Sequence, residues 1–188
     1  TWGSEPTVYD MSKETIAQLI GIAALILWFI SFQVKSNRKL FVLQSMANLI
    51  FGLQFILLGG YAGCAGLVIC TLRNVLILNR EKWPWARSWW WIAVIAVMDG
   101  ICVAVTMKRP IDLMAWVACV GASISCWTDN ARKIRIGNLF VASPSWLVYD
   151  IAYGAWPSVF SESMAMISVI ISIVRFGWDN LGNNFGEK

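Results

Sequence analysis

The chain has 188 residues, a formal net charge of +4, 58 % apolar and only 14 % charged residues, and twelve tryptophans. Too little polar surface is left to cover a soluble domain, so the composition specifies an all-α integral membrane protein and leaves no room for a separate soluble unit. Histidine is absent, and Cys64, Cys70, Cys102, Cys119 and Cys126 lie in apolar runs without metal-ligand spacing, which excludes an imidazole triad or zinc site and predicts no metal, no cofactor and packing roles for the thiols.

Residues 1–13 are polar and aperiodic and are expected to be flexible; Met11, followed by Ser12, Lys13 and Glu14, reads as the natural start, with the first ten residues an addition. A first three-helix bundle is expected over residues 14–82, with apolar spans at 16–34, 40–58 and 62–78. The first two are separated by a basic loop with Lys35, Ser36, Arg38 and Lys39, the second and third by the uncharged turn Gly59, Gly60, Tyr61, Ala62, Gly63. A linker over 83–108 follows, its tryptophans Trp83 and Trp85 serving as interfacial anchors and its span 89–107 carrying a single ionisable group, Asp99.

The second bundle, 109–178, is expected to contain spans at 111–128, 138–156 and 159–178, with a basic loop at Asp129, Asn130, Arg132, Lys133 and Arg135 and a turn at Pro157 and Ser158; residues 179–188 form a polar tail. Seven transmembrane helices result. Eleven Lys and Arg fall on the side of the loops after spans one, three and five, against Lys13, Lys108 and Arg109 on the other, so the basic loops face the cytoplasm and the N-terminus lies outside. Nucleic-acid binding is not expected, because topology accounts for the basic residues.

The two bundles repeat when Arg38 and Lys39 are laid on Arg132 and Lys133, a shift of 94 residues that also puts Gln44 on Asn138 and Gly60 on Gly154. An odd linker between them orients both bundles alike, as two parallel three-helix bundles. This three-plus-one-plus-three plan resembles the SWEET sugar transporters and the PnuC vitamin-precursor transporters. The segments LLGGYAG with CTLRN, and WLVYDIAYGAWPSVFSES with IVRFGW, resemble the bacterial inner-membrane YgjV family over about residues 16–178, with Arg73, Trp146, Glu162 and Arg175 on the family's pattern and Tyr149 and Asp150 where the family tends to have a His-Asn pair. The resemblance implies a fold, a multi-pass inner-membrane location and, by analogy alone, transport.

Ionisable groups cost about 2.5 to 3.5 kcal/mol each at the centre of a span, so each needs a partner or a task. Arg73 and Asp99 lie near mid-membrane, Asp150 about 10 Å and Glu162 about 5 Å from the outer end. Arg73 is expected either to close a buried salt bridge with Asp99, Asp150 or Glu162, or to line with them a cavity that holds a polar ligand. Asn48, Gln54 and Asn74 are amides at membrane depth, suited to reading a solute or to joining helices. Trp146, Tyr149 and Tyr153 share one face of span six, either as a pocket wall or as packing, and Pro144 can kink that span. Gly59 and Gly63, Gly121 and Ser125, and Ser168 and Ser172 are spaced for close helix approach.

The expected function is that of a facilitator or secondary carrier for a small polar solute such as a vitamin precursor, nucleoside or sugar. Arg73, Asn74, Asn48, Trp146, Tyr149, Asp150, Gln54, Glu162 and Asp99 are its candidate substrate-binding residues. The alternative is a non-transporting subunit or assembly factor that binds a partner protein. No nucleophile and base are spaced as an enzyme requires, and no nucleotide-binding motif is present. The lipid bilayer is the expected surrounding; a homo-oligomer is allowed but not required.

Overall fold

The structure, a computed structural model, describes residues 8–33, 37–128 and 131–176. The expected loop residues Lys35, Ser36, Asp129 and Asn130, and the expected tail 179–188, lie outside the described residues. Among those described there is no strand. The elements are α1 (Val8–Gln33), α2 (Asn37–Leu58), α3 (Tyr61–Asn79), a 3-10 turn (Pro84–Arg87), α4 (Trp90–Thr106), a second 3-10 turn (Pro110–Asp112), α5 (Leu113–Trp127), α6 (Ala131–Gly137), a π turn (Asn138–Ala142), α7 (Ser143–Tyr153) and α8 (Trp156–Phe176). Five segments are long and apolar enough to cross a membrane, Ser12–Ser31, Phe41–Leu58, Tyr61–Asn79, Pro110–Trp127 and Trp156–Arg175, and Trp90–Thr106 is a shorter apolar helix.

Boundaries follow local chemistry. Pro84, Pro110 and Pro157 each stand in the first turn of a helix, where the missing N–H is not needed. Pro157 therefore starts α8 rather than making a turn. The reversal falls instead on Gly154 and Ala155, with Gly154 left-handed (φ +66°) and its N–H returned to the α7 carbonyls of Asp150 and Ile151. In the N-terminal half the turn is Gly59 (φ +80°) and Gly60, shorter than the expected glycine-rich stretch, since α3 already begins at Tyr61. Likewise α1 begins at Val8, so Val8 to Lys13 are helical rather than flexible.

The residues expected as a second basic loop are largely helical as well, because Arg132, Lys133 and Arg135 sit in α6. Then α6, the π turn and α7 continue without a break over 131–153, a rod of about 34 Å at 1.5 Å per residue. The π turn lies immediately before Pro144. Its wider hydrogen bond, from the Ser143 N–H to the Asn138 carbonyl, lets the rod pass a residue that has no N–H to donate.

These rods close a ring. Neighbours around it are α1 and α2, α2 and α3, α3 and α5, α5 and α7, α7 and α8, and α8 and α1, while α4 packs against α3 and α5. Trp116 fastens the last of these, its indole N–H donating to the Ala96 carbonyl at 2.9 Å. Close approach of α5 to the α6–π rod needs Gly121, where an added Cβ would run into Val141, and Gly137, where it would run into the Ser125 side chain. Cys70 and Cys119 meet between α3 and α5 with sulfurs 3.5 Å apart, both buried.

The halves are joined at one end of the ring. The Gly63 N–H, in the first turn of α3 where no helical carbonyl is available, donates to the Tyr149 hydroxyl of α7 at 2.7 Å. Reciprocally, the Gln18 side-chain amide of α1 donates to the Gly154 carbonyl that ends α7, at 2.8 Å. Tyr149 is fully buried, between Phe55 (5.2 Å between ring centroids), Trp146 (5.9 Å) and Tyr153 (4.7 Å). Each such aromatic pair contributes about 0.5 to 1.5 kcal/mol. Tyr149→Phe strands the Gly63 N–H and is expected to destabilise by about 1 to 3 kcal/mol. Gly63→Ala drives a methyl into the Tyr149 ring, whereas Gly66→Ala meets its neighbours at ordinary contact distance. Thermal melts in detergent should rank Gly63→Ala and Tyr149→Phe well below wild type and Gly66→Ala close to it.

Candidate binding cavity

The ring encloses a cavity of about 1280 Å³, larger than the about 300 to 1,000 Å³ of most small-molecule pockets. Its lining runs from Arg80, Arg132 and Arg135, where α3 ends and α6 begins, to Phe55, Trp146 and Ser158, next to the Tyr149 closure. Phe55 and Trp146 are stacked with centroids 6.3 Å apart and form its floor.

Five of the nine candidate residues face this space: Asn48, Arg73, Asn74, Trp146 and Glu162. Arg73 is brought there by α3, about 18 Å along the helix from Tyr61. It is 8 % exposed. Its Nε and Nη2 donate to the Asn74 side-chain oxygen at 3.4 and 3.1 Å, and Asn74 in turn donates to the Ser45 hydroxyl at 3.4 Å. The amide thus holds one edge of the guanidinium and leaves Nη1 with no protein partner.

The salt bridge expected for Arg73 is absent among the described residues. Asp99 lies away from the cavity, fully buried beside the Cys119 thiol and Gly66, with both oxygens outside hydrogen-bonding geometry. Asp150 is also outside the cavity, buried behind it with one oxygen accepting from the Ser158 hydroxyl at 2.7 Å. Glu162 reaches the cavity from the opposite wall, beside Ser143. Because α8 starts at Trp156, Glu162 lies about 9 Å along its helix, deeper than the expected start at 159 implied.

Tyr149 and Gln54 are not in the cavity lining either. Tyr149 is the closure described above. Gln54 is fully buried against α1, donating to Gln18 at 3.4 Å and filling the space at Gly21. The polar residues that face the cavity without having been candidates include Gln44, Asn138, Ser143 and Ser161. The repeat register signalled two of them, since Gln44 and Asn138 are partners at the shift of 94 residues.

At the closed end Asp112, also not singled out in the sequence, is buried but fully satisfied. One oxygen accepts the backbone N–H groups of Lys108 and Arg109 at 2.8 and 3.1 Å, the other the Tyr153 hydroxyl at 2.6 Å. Arg109 then lies 4.2 Å over the Tyr153 ring and Lys108 4.4 Å over Tyr61, so the segment after α4 touches both halves.

A buried acid with three donors and a buried guanidinium with an open edge respond differently to neutralisation. Asp112→Asn is expected to lower stability by about 1 to 3 kcal/mol. Arg73→Met removes a charge no carboxylate compensates, and is expected to leave the melting temperature unchanged or raise it, as replacement of buried charge by apolar side chains commonly does. A large loss on Arg73→Met, measured by the same melts, would assign Arg73 to structure.

The chain can now be compared with known proteins. It is 20 % identical over 166 residues, covering 88 % of this chain and 87 % of the relative, to the inner membrane protein YgjV of Escherichia coli (strain K12). No solved structure matches it. Residues 15–179 match the family described as bacterial inner membrane protein, Imp-YgjV, a match that takes in every helix of the ring. With that match over most of its length, the chain belongs to the YgjV family of multi-pass bacterial inner-membrane proteins.

Proposed function

We propose that the protein is a carrier, not an enzyme, which moves a small polar solute through the central cavity, with α1–α3 and α5–α8 acting as two parallel three-helix repeats and α4 as the crossing that links them. The 131–153 rod is then the sixth of seven crossings. The excess of Lys and Arg at the end lined by Arg80, Arg132 and Arg135 supports a cytoplasmic basic end and an N-terminus outside.

The observation that carries the reading is a buried guanidinium that lines a large cavity with one nitrogen lacking a hydrogen-bond partner, between halves joined by the Tyr149 and Gln18 contacts. A purely structural bundle gains nothing from such a group, which costs several kcal/mol at membrane depth. The repeat-related amides Gln44 and Asn138, both on the cavity wall, support a site shared by two like halves. Alternating access then consists of breaking the Tyr149 to Gly63 and Gln18 to Gly154 contacts while the basic end closes. Trp146 and Phe55 supply an apolar floor for stacking, and Asn48, Asn74, Gln44 and Asn138 supply donors and acceptors.

Protein reconstituted in lipid vesicles and supplied with labelled nucleosides, vitamin precursors, sugars and amino acids is expected to take up one class saturably. Arg73→Ala should cut that uptake by about tenfold or more, the loss of one charge-assisted contact. Uptake of no solute from any class would contradict the carrier reading and favour a membrane subunit that binds a partner protein.

A further inference from the structure

Beyond Arg80, Arg132 and Arg135 at one end of its lining, the cavity carries two further charged groups, and these are opposite in sign. The N-terminal half contributes Arg73, more than nine-tenths buried, whose Nη1 has no hydrogen-bond partner among the described residues. The C-terminal half contributes Glu162 on the facing wall, with Asp150 close behind it. No Lys or Arg among the described residues pairs with either carboxylate; Asp150 is held by Ser158 and Glu162 lies beside Ser143. One wall therefore presents a cation and the other a carboxylate, and the two do not neutralise each other.

We propose that the solute is a zwitterion, bound with its carboxylate on Arg73 and its ammonium group on Glu162. This rests on the carrier reading and narrows it to one chemical class. Asn74 fixes the Nε and Nη2 edge of the guanidinium, so its rotamer is already restricted, and a ligand carboxylate that displaces the side chains covering Nη1 meets an oriented donor. A simple anion satisfies Arg73 but must approach Glu162, and a simple amine has the converse difficulty. A neutral sugar leaves both charges uncompensated in a site of low dielectric. A zwitterion compensates both at once and adds no net charge to be carried across the bilayer.

Helix geometry also restricts its length. Arg73 and Glu162 lie about 18 and 9 Å from the closed end along their helices, a difference of about 9 Å. Helical side chains lean toward the N-terminus, which for both α3 and α8 is the closed end, so only the greater length of the arginine stem over the glutamate shortens that gap. Several ångströms remain. A zwitterion whose charges are separated by a short chain spans them better than one carrying both on a single carbon.

The test is binding to the purified full-length protein in detergent, measured by calorimetry with matched sets of probes. These are glycine, γ-aminobutyrate and ε-aminocaproate as zwitterions of increasing length, butyrate and caproate as carboxylates, and butylamine and hexylamine as amines. At least one zwitterion should bind about tenfold more tightly than its carboxylate and its amine, with a longer one ahead of glycine. Arg73→Gln should abolish the preference over the amine, and Glu162→Gln the preference over the carboxylate. Because Glu162→Gln removes charge and preserves shape, it decides the matter even if the arginine variant fails to fold. A carboxylate that binds as well as every zwitterion overturns the proposal, as does binding of none of the zwitterions. Since the assay reads binding without flux, uptake of a neutral or anionic solute in vesicles would leave the carrier reading standing while the zwitterion assignment falls.

Discussion

The arrangement depends on a backbone group that cannot satisfy itself. The first turn of α3 has N–H groups with no helical acceptor, and in an apolar medium an orphaned donor is costly. Tyr149, projecting from the other half of the chain, supplies the acceptor at 2.7 Å. The Gln18 amide supplies the converse, a donor for the Gly154 carbonyl at the end of α7. Burial of apolar surface separates lipid-facing from core-facing residues only weakly, because lipid tails are as apolar as leucine. Side-chain caps of this kind, together with glycines that admit close approach, therefore specify which helix ends meet. They draw together the end of the ring where α3 begins and α7 ends.

The buried ionisable groups divide into those the fold satisfies and those it does not. Asp112 has two backbone donors and a phenol, and its carboxylate organises the connection from α4 to α5. Arg73 has an amide on one edge and no hydrogen-bond partner at Nη1 among the described residues, and it belongs to the lining of the cavity. Evolution of a purely structural bundle would replace the second kind of residue readily, since an apolar side chain of similar volume commonly costs nothing. An unsatisfied charge beside a cavity is what a ligand can complete, and it sets Arg73 apart from Asp112, whose burial alone would suggest equal importance.

Much of this was legible in the chain as written. The apolar runs located most helices to within about three residues, although α1 and the 131–153 rod start earlier than expected, and the uncharged glycine turn located the first reversal, because glycine takes a left-handed turn without strain. Proline was ambiguous: Pro157 opens a helix as readily as it makes a turn, and a single chain does not say which. The side-chain assignments failed for a different reason. Which face of an apolar helix looks inward is poorly encoded when lipid and core are alike. The π turn before Pro144 adds a residue, so side chains beyond it rotate by about 100° relative to those before it. Trp146 consequently lines the cavity with Asn138, while Tyr149 and Asp150, close to it in sequence, turn to α3 and α8. Arg73 and Glu162, which line the cavity, stood out in the sequence because charge in a span is conspicuous whatever its direction. Gln44 was passed over as one more amide, although its repeat partner Asn138 gave it away.

The central claim, that a water-filled cavity opens at the basic end and is shut at the other, is tested most directly by sided cysteine labelling. A cysteine at Asn48, in a background with Cys70 and Cys126 replaced by alanine, is exposed in oriented vesicles to a membrane-impermeant thiol reagent added from one face or the other. Labelling from the face that carries Arg80 and Arg132, with protection from the face that carries Lys108, is the expected result. Equal protection from both faces would mean a dry interior and contradict the account.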